Sequence, residues 1–188
     1  MLDSHSVATY DVRIKHMPQD HHGSRDLKIF EEQFGKSDSP LLPPRLHNQY
    51  ARELFICGND NEFLNSEGIF LKSLFNPEVS EANLKEALCV LVHIALLKKD
   101  LPALFKYSLK AVAMEGCSEI LCDLGAYYLQ QKDYEEAAVW YYNAAFESHA
   151  ILNIKASKEI PLEGLIKTYE EMGHPEIAAQ YRERLKKE

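Results

Sequence analysis

The chain contains none of the short motifs by which many enzymes hold a nucleotide or a metal ion. Its 188 residues include no GxGxxG or GxxxxGK phosphate-binding loop, and no Asp-x-Asp pair that could hold the cation of a nucleotide sugar. No serine or cysteine nucleophile has a recognisable base partner in the sequence. We therefore expect no complete active site, no catalytic residue and no cofactor in this chain alone.

Cysteine is scarce, and its spacing argues against the usual cysteine-based sites. The four cysteines are Cys57, Cys89, Cys117 and Cys122, and no two of them form a CxxC pair. All four lie within or beside helical patterns. They are therefore predicted to be buried or half-buried free thiols in a reducing compartment, with neither a disulfide nor a zinc site.

Charge and hydropathy exclude two further classes of partner. The formal net charge is −8 and no basic cluster is longer than Lys186-Lys187, so a nucleic acid is not an expected partner. The sequence has no apolar run of 18 residues, which excludes a transmembrane helix, and residues 1–13 contain no signal-peptide core. The cytoplasm is the predicted location.

The sequence contains several histidines and carboxylates that could act as metal ligands or acids, but neither role is predicted for them. His16, His21 and His22 lie near one another in a predicted loop, but their spacing fits no standard set of metal ligands, so no metal site is expected. Glu119 and Asp123 lie one helical turn apart on a predicted helix. Both are expected to be solvated charges on a helix face rather than an acid–base pair.

Residues 118–144 carry the most informative pattern in the chain. Its matching positions are Leu121, Leu124, Gly125 and Tyr128 in a first predicted helix, and Tyr134, Ala137, Tyr141 and Ala144 in a second. The small residues Gly125 and Ala137 fit a close crossing of the two helices. The stretch resembles one tetratricopeptide repeat (TPR). Proteins built from such repeats are scaffolds that bind, dock or oligomerise.

Weaker versions of this pattern start near residues 44, 85 and 159. With the hairpin at 118, the predicted starts are separated by 41, 33 and 41 residues. A regular TPR repeats about every 34 residues, so extra loop residues are predicted near 76–80 and 149–158. The predicted fold is all-α, a right-handed α-solenoid of about four TPR-like hairpins with a short N-terminal strand/loop segment. The predicted divisions are 1–23 (strand and loop), 24–43 (helix and linker) and 44–188 (repeats).

Aromatic residues are the main candidates for a partner-binding surface. Tyr127, Trp140 and Tyr142 fall outside the core positions of the repeat. They either pack between neighbouring repeats or form a surface for a partner, where Trp and Tyr are favoured anchors. Arg52, at the ninth position of the first predicted A helix, completes the set of candidate partner-binding residues.

The repeats do not carry a clamp for an acidic peptide C-terminus. Proteins with such a clamp place Lys, Asn and Arg at the fifth and ninth positions of successive A helices. Here those positions hold Asn48, Cys89, Cys122 and Glu163 (fifth) and Arg52, His93, Ala126 and Lys167 (ninth). Because Cys122 and Ala126 offer nothing to a carboxylate, a co-chaperone function is not expected.

Three segments together resemble a known arrangement: VRIKH at 12–16, SRDLKIFEEQF at 24–34 and PRLHNQYARELFICG at 44–58. Their order is similar to the C-terminal part of bacterial family-2 glycosyltransferases that carry TPRs after a GT-A-type catalytic domain. Those enzymes transfer a sugar from a nucleotide donor to a protein, peptide or glycan. The resemblance implies that residues 1–23 are a remnant of an upstream catalytic domain. It also implies that His16 has a catalytic role only within a full-length enzyme.

Two functions from different classes fit these observations. The leading hypothesis is a non-catalytic scaffold, the accessory domain of a glycosyltransferase, which mediates acceptor binding or oligomerisation. The alternative is a free-standing TPR adaptor that binds a protein or peptide. Under either hypothesis, the expected partner is a protein, a peptide or a second copy of this chain.

Overall fold

The computed structural model describes residues 23–36 and 40–187, and every regular element within these ranges is helical. The helices are α1 (Gly23–Phe34), α2 (Pro44–Cys57), α3 (Asp60–Leu74), α4 (Glu81–Lys98), α5 (Leu101–Val112), α6 (Ser118–Gln130), α7 (Tyr134–Phe146), α8 (Glu159–Glu171) and α9 (Pro175–Leu185). A short 3₁₀ turn, Ile154–Ser157, precedes α8. The predicted all-α class is therefore confirmed. The predicted N-terminal strand and His16 lie outside the described residues.

Local capping by a side chain explains where four of these helices, α3, α4, α5 and α7, begin. The side chains of Ser80, Asp100 and Asp133 each accept a hydrogen bond from a backbone N–H in the first turn of the following helix. Asn59 forms a complete capping box with Glu62 at the start of α3. The Ser80 cap starts α4 at Glu81, four residues before the position predicted from repeat spacing. By contrast, α6 and α8 begin at the predicted residues.

The turns that follow α4, α6 and α8 have the same backbone geometry. Lys99, Lys132 and Gly173 occupy equivalent positions in these turns, with φ values of 58°, 62° and 77°. In each turn, the N–H of the next residue bonds to the carbonyl five positions earlier, at 2.9, 3.0 and 2.8 Å. These are Schellman-type helix ends, which satisfy carbonyls that the helix leaves unpaired. The same bond also follows α5, where the N–H of Gly116 bonds to the carbonyl of Ala111 at 2.9 Å, so this is a recurring type of helix end.

Aromatic stacking joins the first three helices. The ring of Phe30 on α1 stacks on Tyr50 of α2 at 4.6 Å between centroids, and Tyr50 stacks on Phe70 of α3 at 5.4 Å. Leu27 and Phe34 complete the buried face of α1. Helix α1 therefore packs into the same hydrophobic core as α2–α6.

A buried polar network fixes α2 against α4. Nδ1 of His47 lies 2.9 Å from Oε2 of Glu86, and the side-chain amides of Asn48 and Asn83 donate to the same carboxylate at 2.5 and 2.9 Å. Burial on its own would raise the pKa of Glu86, but the hydrogen bonds from His47, Asn83 and Asn48 lower it below the ordinary value. The carboxylate is therefore held in its charged form between the two helices.

The later helices pack in sequence around a second core. Helix α6 packs along α7, α7 along α8 and α8 along α9, while α4, α6 and α8 also contact one another in chain order. Trp140 of α7 packs against both hydrophobic clusters. Within the described residues, no helix combines the length and the apolar character needed to cross a membrane.

Candidate functional site

A cleft of about 470 Å³ opens between α6, α7 and α8, and we call it the α6–α8 cleft. Its lining residues are Ala126, Leu129, Gln130, Lys132, Tyr134, Tyr141, Ile160, Glu163, Gly164, Lys167 and Glu171. An apolar strip formed by Ala126, Leu129 and Ile160 is thus bordered by polar and charged side chains. A concave apolar surface with a few convergent polar groups is the usual form of a binding site.

The floor of the cleft is the ring of Tyr141, which is held between two glycines. A Cβ at Gly125 of α6 would lie 2.9 Å from ring carbons of Tyr141, and a Cβ at Gly164 of α8 would lie 2.5 Å from them. Neither position has room for a side chain. Burial, followed by the nearby Cys122 and Asp123, raises the pKa of Tyr141, so the phenol stays neutral.

The rim of the cleft carries charges of both signs. Lys132 and Lys167 supply ammonium groups, whereas Glu163 and Glu171 supply carboxylates. The hydroxyl of Tyr134 donates to Oε2 of Glu171 at 3.4 Å. The rim therefore suits a partner segment with an apolar side chain flanked by polar or charged groups. It does not suit a purely anionic ligand, because the two carboxylates would oppose it.

A second feature is the connection between α7 and α8, residues 147–158, which we call the covering loop. It folds back on the N-terminal half of α6. The backbone N–H groups of Ile151, Leu152 and Asn153 donate to Oε1 of Glu119 at 3.0, 2.7 and 2.9 Å. The N–H of Ser118 donates to the carbonyl of His149 at 3.0 Å. One buried carboxylate therefore holds three consecutive backbone amides of the loop.

The covering loop also reaches α2 and α4. The side-chain amide of Asn153 donates at 2.8 Å to the carbonyl of Phe55, one of the carbonyls left unpaired at the C-terminal end of α2. Leu152 is buried in the core cluster that contains residues of α2 and α4, and Ile151 packs against that cluster. The loop thus lies across the face that α2, α4 and α6 form together.

The prediction that Glu119 and Asp123 are solvated helix charges is wrong. Their exposed fractions are 2% and 7%. Glu119 is buried because the covering loop closes over it, and Asp123 is buried because Oδ1 pairs with Nδ1 of His93 at 2.9 Å. The other oxygen of Asp123, Oδ2, is buried without a hydrogen-bond partner among the described residues. Such an atom is costly unless another group can bond to it.

The Asp123 carboxylate sets the protonation of His93. Burial lowers the pKa of His93, but the charge of Asp123, its hydrogen bond and the charge of Asp60 together raise it above the ordinary value. The imidazole ring lies 4.3 Å from the Phe63 ring and 5.7 Å from the Phe55 ring, between centroids. The histidine is therefore a partly buried, paired group between α3, α4 and α6.

The cysteines are free, as predicted, and Cys57 is half-buried while the other three are buried. The sulfurs of Cys89 and Cys117 lie only 3.1 Å apart, a contact that the spacing of the cysteines in the sequence does not predict. With Glu119, these two residues form the one group in the described part of the chain whose donor atoms could converge on a metal ion.

The residues of this group do not fit a metal ion well. Burial raises the pKa of Cys89 far above its ordinary value, which opposes the thiolate that a metal requires. Glu119 already accepts three backbone N–H groups. Both thiols are fully buried, and the described residues bring together three ligands, one fewer than a closed structural zinc site uses. The group is better described as two packed thiols beside a carboxylate.

The four candidate partner-binding residues occupy different parts of the surface. Tyr127 is half-buried against Phe105 and borders a separate cavity of about 300 Å³ between α4, α5 and α6. Trp140 lies between the two hydrophobic clusters. Tyr142 is 44% exposed, and Arg52 is exposed on α2. None of the four lines the α6–α8 cleft.

Comparison of the chain with known protein families, with curated proteins and with solved structures found no match to any of them.

Proposed function

We propose that this chain is a non-catalytic helical-repeat scaffold that binds a segment of a partner protein in the α6–α8 cleft. The observation that carries the proposal is the rigid apolar floor of the cleft, formed by Tyr141 between Gly125 and Gly164. Because the ring is fixed from both sides, the binding surface is preformed, and a ligand does not have to order it first.

The proposal takes the helical pairs α4–α5, α6–α7 and α8–α9 to be TPR-like hairpins in a right-handed solenoid that begins at α2. The equivalent turns at Lys99, Lys132 and Gly173 support it, since each closes a pair in the same way. The successive contacts of α4, α6 and α8 support it too, because the A helices of such a solenoid line its inner surface. The cleft would then be one part of that surface, in a cytoplasmic protein.

A binding experiment with matched variants tests this proposal. A random peptide library displayed on phage is selected on the immobilised chain, and the enriched peptides are titrated against Ile160→Glu and Val139→Glu. Ile160 borders the cleft, whereas Val139 is exposed on α7 outside it. We expect Ile160→Glu to abolish binding and Val139→Glu to preserve it. Enrichment of no peptide, or equal binding by both variants, would contradict the proposal.

The biological setting that we propose for this scaffold is a glycosyltransferase, in which the repeats present the acceptor or hold two enzyme chains together. The resemblance of segments 12–16, 24–34 and 44–58 supports this setting. Packing of α1 on α2 and α3 is consistent with it, because the segments containing these helices then form one unit. The alternative is an adaptor that acts without a catalytic domain in the same chain.

Reading the gene upstream of the Met1 codon distinguishes the two settings. An open frame that encodes a domain with an Asp-x-Asp pair would support the accessory role. The full-length enzyme should then lose acceptor affinity or change its oligomeric state when residues 44–188 are deleted. An in-frame stop directly upstream would instead favour the adaptor, whose partner would be identified by affinity purification and confirmed by its loss with Ile160→Glu.

A further inference from the structure

The covering loop, residues 147–158, does more than connect two helices. We propose that the face formed by α2, α4 and α6 is a second binding surface, for an extended aliphatic segment of a partner protein. The covering loop is the internal ligand that such a segment replaces. This inference concerns the part of the surface beneath the covering loop rather than the α6–α8 cleft, and it does not depend on what the cleft binds.

The first observation is that the loop is held by its backbone. Glu119 accepts N–H groups from three consecutive residues, Ile151 to Asn153, at 2.7–3.0 Å. A buried carboxylate that accepts several backbone N–H groups makes strong, charge-assisted bonds that depend little on side-chain identity. Any extended segment with three free amides in that arrangement can make the same bonds.

The second observation is that two side chains of the loop contact the face as the side chains of a bound peptide would, one through apolar packing and one through a hydrogen bond. Leu152 is 3% exposed and lies within the hydrophobic core cluster. The next residue, Asn153, donates to the carbonyl of Phe55 on α2, 98 residues away in the sequence. The face therefore recognises an aliphatic residue followed by a side-chain amide donor, a pattern that a partner segment can reproduce.

The third observation is that the helices flanking the loop also contact each other directly. Helix α7 packs directly along α8, and α8 along α9. The predicted repeat starts at residues 118 and 159 are 41 residues apart, whereas a regular repeat has about 34 residues. The loop contains the additional residues. The loop also packs on α6, α7 and α8 through its 3₁₀ turn, with Ala156 buried in the second cluster, so its release would expose the face of α2, α4 and α6 and leave the direct contact of α7 with α8 to hold these helices together.

The fourth observation is an acceptor on this face that the loop leaves unused. Oδ2 of Asp123 is buried without a hydrogen-bond partner among the described residues, one helical turn beyond Glu119. The neighbouring Cys122 donates to Ala156 of the loop at 3.2 Å, so the loop passes beside this position. A partner segment with a donor at that point would gain a bond that the loop does not make.

A variant in which residues 149–157 are replaced by a Gly/Ser linker of equal length tests the proposal. The probe is a fluorescent, end-blocked peptide with the sequence of residues 147–158, followed by fluorescence anisotropy. We expect the loop-replaced chain to bind this peptide and the native chain to bind it at least about tenfold more weakly. Absence of binding to a folded loop-replaced chain would overturn the proposal.

Two controls assign the binding to Glu119. Adding Glu119→Gln to the loop-replaced chain should weaken binding by about tenfold or more, since hydrogen bonds to a charged acceptor are stronger than those to a neutral amide. A peptide methylated on the backbone nitrogen of Leu152 should lose affinity similarly. If both controls bind as well as the originals, Glu119 does not recognise the backbone, and the proposal fails.

Hydrogen exchange on the complete chain keeps the proposal testable if the loop-replaced chain does not fold. The amides of residues 151–153 are followed by mass spectrometry with and without excess unlabelled peptide. Faster exchange of these amides in Glu119→Gln, and exchange that depends on peptide concentration, would show that the loop is displaced. Exchange unchanged by the peptide in both the native chain and Glu119→Gln would overturn the proposal.

Discussion

Gly164 of α8 and Tyr141 of α7 are in such close contact that a Cβ on the glycine would lie 2.5 Å from the carbons of the tyrosine ring. The same ring lies against Gly125 of α6, where the corresponding distance is 2.9 Å. Three helices therefore meet around one side chain. Their spacing depends on the absence of two side chains as much as on the presence of the ring.

We predict that Gly164→Ala destabilises the chain by about 1–3 kcal/mol, because the added methyl group forces the Tyr141 ring or α8 to move. Gly68→Ala is the matched control. Gly68 lies within α3 and has open space at its Cβ position, so alanine there should stabilise by about 0.5–1 kcal/mol. Urea unfolding of both variants measures the difference. Equal destabilisation by the two changes would show that the contact with Tyr141 does not limit the helix spacing.

A second prediction concerns the crossing of α6 and α7. Ala137 is fully buried on α7, so Ala137→Leu should overpack that crossing and cost about 1–3 kcal/mol. Val139→Leu, on the exposed side of the same helix, should change stability by no more than about 0.5 kcal/mol. Thermal melting followed by circular dichroism compares them. An unchanged melting temperature for Ala137→Leu would show that Ala137 does not occupy the crossing position of the repeat.

Local signals made much of the fold predictable, whereas contacts between distant residues did not follow from the sequence. Asp100 and Asp133 act on their own first turns, so capping marks the helix starts directly. The burial of Glu119 depends on amides more than 30 residues away, and no local pattern reports this. Gly164 was missed for the same reason, since its role is visible only once Tyr141 is in place.

The sequence gives no direct indication of the α6–α8 cleft either. The cleft combines residues spaced three or four positions apart on α6 with similarly spaced residues of α8, which is far away in the chain. The aromatic residues chosen from the sequence, Tyr127, Trp140 and Tyr142, lie elsewhere. They were chosen because they fall outside the core positions of the repeat, and such positions do not all face the same side of a helix. The sequence feature closest to the cleft is the small residue Gly125, which the repeat pattern pairs with Tyr141 and which faces the ring of that tyrosine in the structure.

A third prediction is a pH dependence of stability that arises from His93. Its pKa in the folded chain is raised by Asp123, above the unfolded value of about 6.5. The stabilisation from this pair is therefore complete below about pH 6 and is lost as the pH rises through the folded pKa. Asp123→Asn removes the charge while keeping a similar shape, so it should reduce this loss.

Urea unfolding at a series of pH values between 5 and 9, for the native chain and Asp123→Asn, measures the effect. In parallel, NMR titration of the His93 ring should give a lower pKa in Asp123→Asn than in the native chain. A pH dependence identical in the two proteins, together with an unchanged titration of His93, would show that Asp123 does not control this histidine.

The fourth prediction concerns the thiols, whose reactivity should follow their burial. Cys57 is half-buried and is the most accessible, but burial and the neighbouring Glu53 raise its pKa, so its reaction should accelerate as the pH increases. The other three thiols are buried, and burial raises the pKa of Cys89 and Cys122 further. Iodoacetamide should therefore modify one cysteine quickly in the folded chain and all four after denaturation.

Cys57→Ser should remove the fast phase of that reaction and leave the slow phase unchanged. Because the sulfurs of Cys89 and Cys117 lie 3.1 Å apart, the count of reactive thiols after denaturation also reports the state of this pair. Four thiols in the denatured chain would show that the pair is reduced, as in the structure. Two thiols would show that it has been oxidised to a disulfide, which would join α4 to the residue preceding α6 and restrict the movement of Glu119 beneath the covering loop.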